Sequence, residues 1–312
     1  MIERVIEVGL PVDEKLVIVR NRLQPDVLRG DERRIAIVTG THGDELEGQY
    51  VCYLLNHVIQ QNKEYLNGIV DIYPALNPMG IDSLTRGIPM FDMDMNRIFP
   101  GDESGATAEY VAAGVMKNLA GADMCIDIHS SNIFLRELPQ IRINEQSALQ
   151  LLPYAELLNM DFIWVHSAAT VLEATLAYSL NQIGVPTLVV EMGVGMRINQ
   201  HNGQQLVDGI LNLMANMGIW TGPVPEVRCP IISRDGHVGY INAEKSGIFV
   251  PEVDHLDTVR QGDVVGAIVS PLTGEVLHQI QAPCSGMIFT LREYPVVNEG
   301  SLIARILGGT VQ

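Results

Sequence analysis

The chain has 312 residues, 47% of them hydrophobic and 18% charged, a balance that excludes disorder and allows one large core plus a smaller one. Its formal net charge of −17 argues against nucleic acid or an anionic membrane as a partner. No apolar run approaches the roughly 18 residues of a membrane-spanning helix.

The opening residues, Met1-Ile2-Glu3-Arg4-Val5-Ile6-Glu7, lack the basic stretch and apolar core of a signal peptide. Residues 3–9 and 15–20 alternate like two strands around Pro11-Val12-Asp13-Glu14 and predict an N-terminal hairpin. Strands and helices then alternate. A strand at 35–39 leads into a helix at 45–60. A strand is expected over 69–73, a helix over 104–120 and a strand from Met124 to His129. A helix over 145–159, a strand over 161–165 and a helix over 170–183 follow. Pro186 to Glu191 reads as a buried strand and 203–217 as a helix. This order predicts an α/β fold, a mostly parallel mixed sheet flanked by helices. Composition changes near Thr221-Gly222-Pro223-Val224-Pro225. Beyond it, short runs broken by Gly and Pro predict a smaller C-terminal all-β domain. The expected division is 1–222 and 223–312. The cysteines, Cys52, Cys125, Cys229 and Cys284, are scattered. That suits a reducing cytoplasm and argues against a disulfide framework or a Cys-based zinc site.

The stretch Thr39-Gly40-Thr41-His42-Gly43-Asp44-Glu45-Leu46-Glu47-Gly48 joins the first such strand to its helix. Asp44 reads as the N-cap and Glu47 as its partner in a capping box. That places Glu45 at the first helical position and His42 just outside it. Gly40 and Gly43 permit the tight turn. An imidazole and a carboxylate on one rigid turn make half of a zinc site, because Zn²⁺ takes nitrogen and oxygen ligands at about 2.0–2.2 Å. A solvated loop with an ordinary helix cap is the alternative. Strand alternation puts Cys125, Asp127 and His129 on one face. His129 is then a further candidate ligand, with Asp127 as the carboxylate that orients it. Glu191 ends a very apolar strand, where partial desolvation lifts a carboxylate toward a pKa useful for proton transfer. A structural ion pair is the alternative, but Ile143 to Met196 contains no Lys or Arg to supply one locally. His42, His129 and Glu191 all fall at or just beyond predicted strand ends, where α/β sheets gather their functional groups.

Asp92-Met93-Asp94-Met95-Asn96-Arg97 resembles a calcium loop, except that Arg97 stands where that loop requires Gly. Asn96 and Arg97 fit an anion clamp better, since a guanidinium fork matches a carboxylate. A plain surface arginine is the alternative. Arg86 is a second candidate on the same loop. His57, His166, His201, His237, His255 and His278 have no ligand spacing.

Together, T-H-G-D-E, L-N-P-M-G with D-M-N-R-I-F-P-G, D-I-H-S and V-E-M-G resemble the succinylglutamate desuccinylase/aspartoacylase family, within the zinc carboxypeptidase-like superfamily. The resemblance covers roughly residues 30–220. It implies one Zn²⁺ per chain on His42, Glu45 and His129, with Glu191 as general base. It also implies that Asn96 and Arg97 bind a substrate carboxylate and that Arg86 polarises the scissile carbonyl. The implied reaction is hydrolysis of a small N-acyl amino acid. Aspartoacylases carry a further arginine on the approach to the catalytic glutamate. Its absence here predicts a substrate with one carboxylate and a neutral or cationic side chain, such as an N-acetyl-diamino acid. A carboxypeptidase acting on short peptides and a non-catalytic zinc-binding interaction protein are the rivals. The C-terminal stretch also resembles a biotinyl/lipoyl-type sandwich, through Ala282-Pro283-Cys284-Ser285-Gly286 and Val297-Asn298-Glu299-Gly300. Lys245, the only lysine after Lys117, lies outside any carrier motif. A homo-oligomer is compatible with all of this.

Overall fold

The structure is a computed structural model, and residues 1–166, 174–234 and 238–308 are described. Strands β1 (Ile2–Gly9) and β2 (Lys15–Leu23) form the expected antiparallel hairpin. Then come β3 (Arg34–Thr39), α1 (Glu47–Gln61), β4 (Ile69–Tyr73), α2 (Pro78–Ser83), α3 (Thr107–Leu119) and β5 (Met124–Ser130). The next elements are β6 (Leu135–Asn144), α4 (Ala148–Ala155), β7 (Phe162–His166), α5 (Leu176–Gln182), β8 (Thr187–Gly193) and α6 (Gln200–Asn216). Residues 170–173 of the helix expected over 170–183 lie outside the described residues, as does His237.

Strands β4, β3, β5 and β8 run parallel, and β6 joins β8 antiparallel. Alternation along these strands feeds two cores. Ile35, Ile37, Ile126, Ile128, Leu188 and Val190 face α1, α4 and α6. Ala36, Val38, Tyr73 and Cys125 face α3, α5 and the hairpin. Helix α1 shows why its sequence is helical: Val51, Cys52, Leu55 and Ile59 form one buried stripe. Fully burying each such aliphatic side chain stabilises by about 1.5–3 kcal/mol. Among the described residues no helix is long and apolar enough to cross a membrane.

The remaining strands are β9 (Ile231–Arg234), β10 (Val238–Asn242), β11 (Gly247–Pro251), β12 (Thr258–Val259), β13 (Val264–Val269), β14 (Val276–Gln281), β15 (Gly286–Arg292), β16 (Val296–Val297) and β17 (Leu302–Gly308). Strands β14, β13, β11 and β16 make a separate antiparallel sheet. Strands β15, β17 and β10 extend the main sheet instead, because β15 pairs with β6. Lys245 lies exposed in the connection between β10 and β11, which belong to different sheets, so it sits at no hairpin tip.

Strand β6 had no counterpart in the sequence reading. Pro139 and its charged neighbours argue against a central strand. The pairing of β6 with β8 is irregular between Glu137 and Gln140, and that break accommodates the proline.

Candidate active site

The turn after β3 is shaped by close backbone approach. Gly40 has φ +66, and a Cβ on Gly43 would lie 2.0 Å from the carbonyl carbon of Gly80. The capping box expected at Asp44 and Glu47 does not form. Helix α1 starts at Glu47, with Leu46 at the N-cap and no side-chain cap. Asp44 is held through its backbone carbonyl, which accepts from Met196 N at 2.7 Å, while a long-range partner takes the Glu47 side chain, whose carboxylate accepts from Asn199 N at 2.9 Å. Burial then pushes the Glu47 carboxyl up to about 7, against that one hydrogen bond.

Released from the helix, Glu45 lies between two imidazoles. His42 Nδ1 is 2.7 Å from its Oε1 and His129 Nδ1 is 2.9 Å from its Oε2. All three residues are 3% exposed, and their ligand atoms lie within 4.8 Å of one another. Each ring turns its second nitrogen to another carboxylate. His42 Nε2 hydrogen-bonds Asp94 Oδ1 at 3.0 Å. His129 Nε2 stands 3.2 Å from Asp127 Oδ2, without the alignment of a hydrogen bond. Burial opposes a charge on His129, yet Asp127 and Glu45 outweigh it and hold its pKa well above the ordinary value. His42 is raised in the same way, burial being overcome by Glu45 and Asp94. Burial also opposes the Glu45 carboxylate, but the two histidines hold its pKa far below the usual range. A buried anion held between two nitrogen donors, each oriented from behind, is a chemical fit for a divalent cation with two nitrogen ligands and one oxygen ligand.

The rest of the expected site converges on the same cavity of about 460 Å³. Arg86 donates to Glu45 Oε1 at 2.8 Å and stands 3.7 Å from Asp94. Asn96 is fixed by accepting from Leu176 N at 2.9 Å, at the start of α5. Arg97 is exposed beside it and makes no ion pair among the described residues. Glu191 is the cross-strand neighbour of His129. Burial raises its pKa, while Arg142 pulls the other way.

That last contact corrects the sequence reading, which found no cationic neighbour for Glu191. Arg142 Nη1 lies 3.4 Å from Glu191 Oε1, reaching across from β6 one residue outside the stretch free of Lys and Arg. Arg305 also lines the cavity, so the cation-free approach expected around Glu191 does not exist. Both guanidiniums are shared with buried Glu137, at 3.1 Å for Arg142 and 2.7 Å for Arg305. Thr290 and Gln140 bond its other oxygen, at 2.5 and 2.9 Å. Both arginines also stack over Trp164, 5.6 and 5.4 Å from its ring centre.

Residues 31–217, more than half of the chain, match the family model described as the succinylglutamate desuccinylase/aspartoacylase catalytic domain. The chain belongs to that family. An N-alpha-acetyl-L-2,4-diaminobutyric acid deacetylase from Halomonas elongata is 25% identical over 297 residues, 90% of this chain and 83% of that one. A mouse aspartoacylase is 37% identical over 68 residues, 22% of this chain and 20% of that enzyme. A solved succinylglutamate desuccinylase from Silicibacter sp. TM1040 has a TM-score of 0.85 at 22% identity, covering 98% of this chain and 94% of that one. The product-bound ectoine utilization protein EutE (DoeB) from Ruegeria pomeroyi has a TM-score of 0.83 at 19% identity, covering 97% and 93%. At such identities these two structures establish the fold. Membership of the succinylglutamate desuccinylase/aspartoacylase family makes the chain a hydrolytic enzyme of the N-acyl amide class.

Within this family member, Asp94, Glu137 and Arg305 escaped the sequence as site residues, and Arg142 stood only beside Arg136 and Arg197 as a place to seek a second cationic clamp. Asp94 was weighed only as part of a calcium loop. Arg142, Glu137 and Arg305 carry no motif, and chain separations such as 168 residues between Glu137 and Arg305 leave no local signal.

Proposed function

We propose that the protein is a zinc-dependent deacylase of small N-acyl amino acids bearing one carboxylate, of which N-acetyl-diaminobutyrate is the leading example. One observation carries the proposal: the buried His42, Glu45 and His129 cluster opens into the same cavity as Glu191 and Arg97. Zinc on those three residues would supply Lewis acidity that activates water and polarises a carbonyl. Glu191 takes the proton from the attacking water and returns it to the leaving amine. Arg97 grips the substrate carboxylate, and Asn96, locked to α5, fixes its angle. Arg86, anchored on Glu45, points its remaining donors at the acyl oxygen. Tyr240 of β10 and Arg305 of β17 also line the cavity, and C-terminal strands standing over the site disfavour the long peptides of a carboxypeptidase. The curated relative deacetylates a diamino acid of this kind, which agrees with the chemistry of the pocket.

Charge balance sets the expected preference. Arg142 and Arg305 add two positive charges near Glu191, and Glu137 and Glu191 cancel both. A second substrate carboxylate therefore meets no unpaired cation there. The ratio of kcat/KM for N-acetyl-diaminobutyrate over N-acetylaspartate should be at least tenfold, about 1.4 kcal/mol in transition-state binding. A tenfold advantage for the dicarboxylate would refute the single-carboxylate assignment.

The supporting carboxylates give a separate expectation. Asp94→Asn and Asp127→Asn should each weaken zinc binding about 10–100-fold, because a carboxylate behind a ligand histidine orients the ring and raises its basicity. Competition with a chelator measures this, and wild-type affinity in both variants would contradict it.

A further inference from the structure

In a helix-flanked sheet, central strands are buried on both faces. Strands β8 and β6 break that rule on one face only. Leu188, Val190, Ile141, Ile143, Ile163 and Val165 are buried on the far side. On the cavity side, Val189, Glu191, Arg142 and Asn144 are all partly exposed. Register explains how they line up. Glu191 is opposite Gln140, Val189 is opposite Arg142, and Arg142 is opposite Trp164. The next step along each strand brings Thr187, Asn144 and His166, which also line the cavity. The cavity-side face thus runs from partly exposed Glu191 to buried Thr187, four steps of strand or about 13 Å. Helix α5 forms its wall with Ala177, Tyr178 and Asn181. The Asn181 side chain clamps that wall to the floor through the backbone of Thr187, at 2.9 and 3.2 Å.

The two halves of this groove differ in charge. Glu191, Arg142, Glu137 and Arg305 crowd the half next to the metal-ligand cluster. Among the described residues, the far half, with Thr187, Asn144, His166, Ser147 and Asn181, carries no carboxylate and no guanidinium. A two-carbon side chain is far shorter than the roughly 13 Å of this face.

We propose that the groove floored by Val189 and Thr187 is a subsite for an uncharged limb of the substrate, longer than the side chain of diaminobutyrate. This rests on the deacylase reading and narrows its substrate class. The limb belongs either to the amino acid side chain or to the acyl group, and both present the same neutral, extended chain.

The test is a length series in two arms with the zinc-loaded enzyme. One arm takes N-acetylalanine, N-acetylnorleucine and N-acetyl-2-aminodecanoate. The other takes the N-acetyl, N-butanoyl and N-hexanoyl derivatives of diaminobutyrate. In one arm kcat/KM should rise at least tenfold from shortest to longest, as each added methylene leaves water for the groove beside Val189 and Ala177. N-acetyllysine, with a charged end in the far half, should be poorer than N-acetylnorleucine. Flat or falling series in both arms, with the short members still cleaved, would overturn the subsite and leave the deacylase reading standing. Failure to cleave any member would overturn both. A second measurement locates the limb. Val189→Phe fills the groove with an apolar side chain, and the long-to-short ratio of kcat/KM should fall at least tenfold, whatever happens to the absolute rates. An unchanged ratio would refute the placement.

Discussion

Glu191→Gln is expected to lower kcat by about 10²–10⁴-fold while leaving the metal content unchanged. The substitution keeps shape and hydrogen-bonding capacity, and Arg142 retains Glu137 as its charged partner. What disappears is the carboxylate that accepts a proton, about 3–5 kcal/mol of transition-state stabilisation. The pH profile adds an independent readout. Burial raises the pKa of Glu191 more than Arg142 lowers it. A base works only when deprotonated, so wild-type activity should fall as pH drops through a value above the ordinary carboxylate range. The residual activity of the Gln variant should lack that acid limb. Turnover near wild type would remove Glu191 from the chemistry.

His42→Ala should bind close to one equivalent of zinc less per chain than the wild type. The loss should exceed the 10–100-fold cost of a supporting carboxylate, because a ligand itself is gone. Activity should disappear with the metal. Metal analysis of the two purified proteins decides it, and equal zinc would rule out the three-residue site. Circular dichroism of the variant distinguishes ligand loss from unfolding. The turn itself is held by Gly40 and Gly43, which the substitution leaves in place.

Much of the architecture was legible because hydrophobic period carries it. The alternation of β3, β5 and β8 with α1, α3 and α6 follows from the switch between period two and period 3.6 along the chain. His42, Glu45, His129 and Glu191 were legible for a related reason. His129 and Glu191 sit near the ends of apolar strands, and His42 and Glu45 on the turn that follows one. The limits of the helix after β3 were misread because a local capping pattern competed with distant partners. Asn199 lies 152 residues from Glu47 in sequence, and no window contains both.

The sequence by itself therefore determined the α/β order and the residues that gather at the strand ends, since both depend on contacts within a strand, a helix or a turn. Only the tertiary structure decided the electrostatics. Arg142 reaches Glu191 because β6 inserts antiparallel beside β8, despite Pro139. Arg305 arrives from the last strand because β15 pairs with β6 and carries β17 with it. Asp94 stands behind His42 because its loop folds back over the turn after β3. Charges act through space over a few ångströms, so which of them face Glu191 depends on strand order and register, and neither is written in local periodicity.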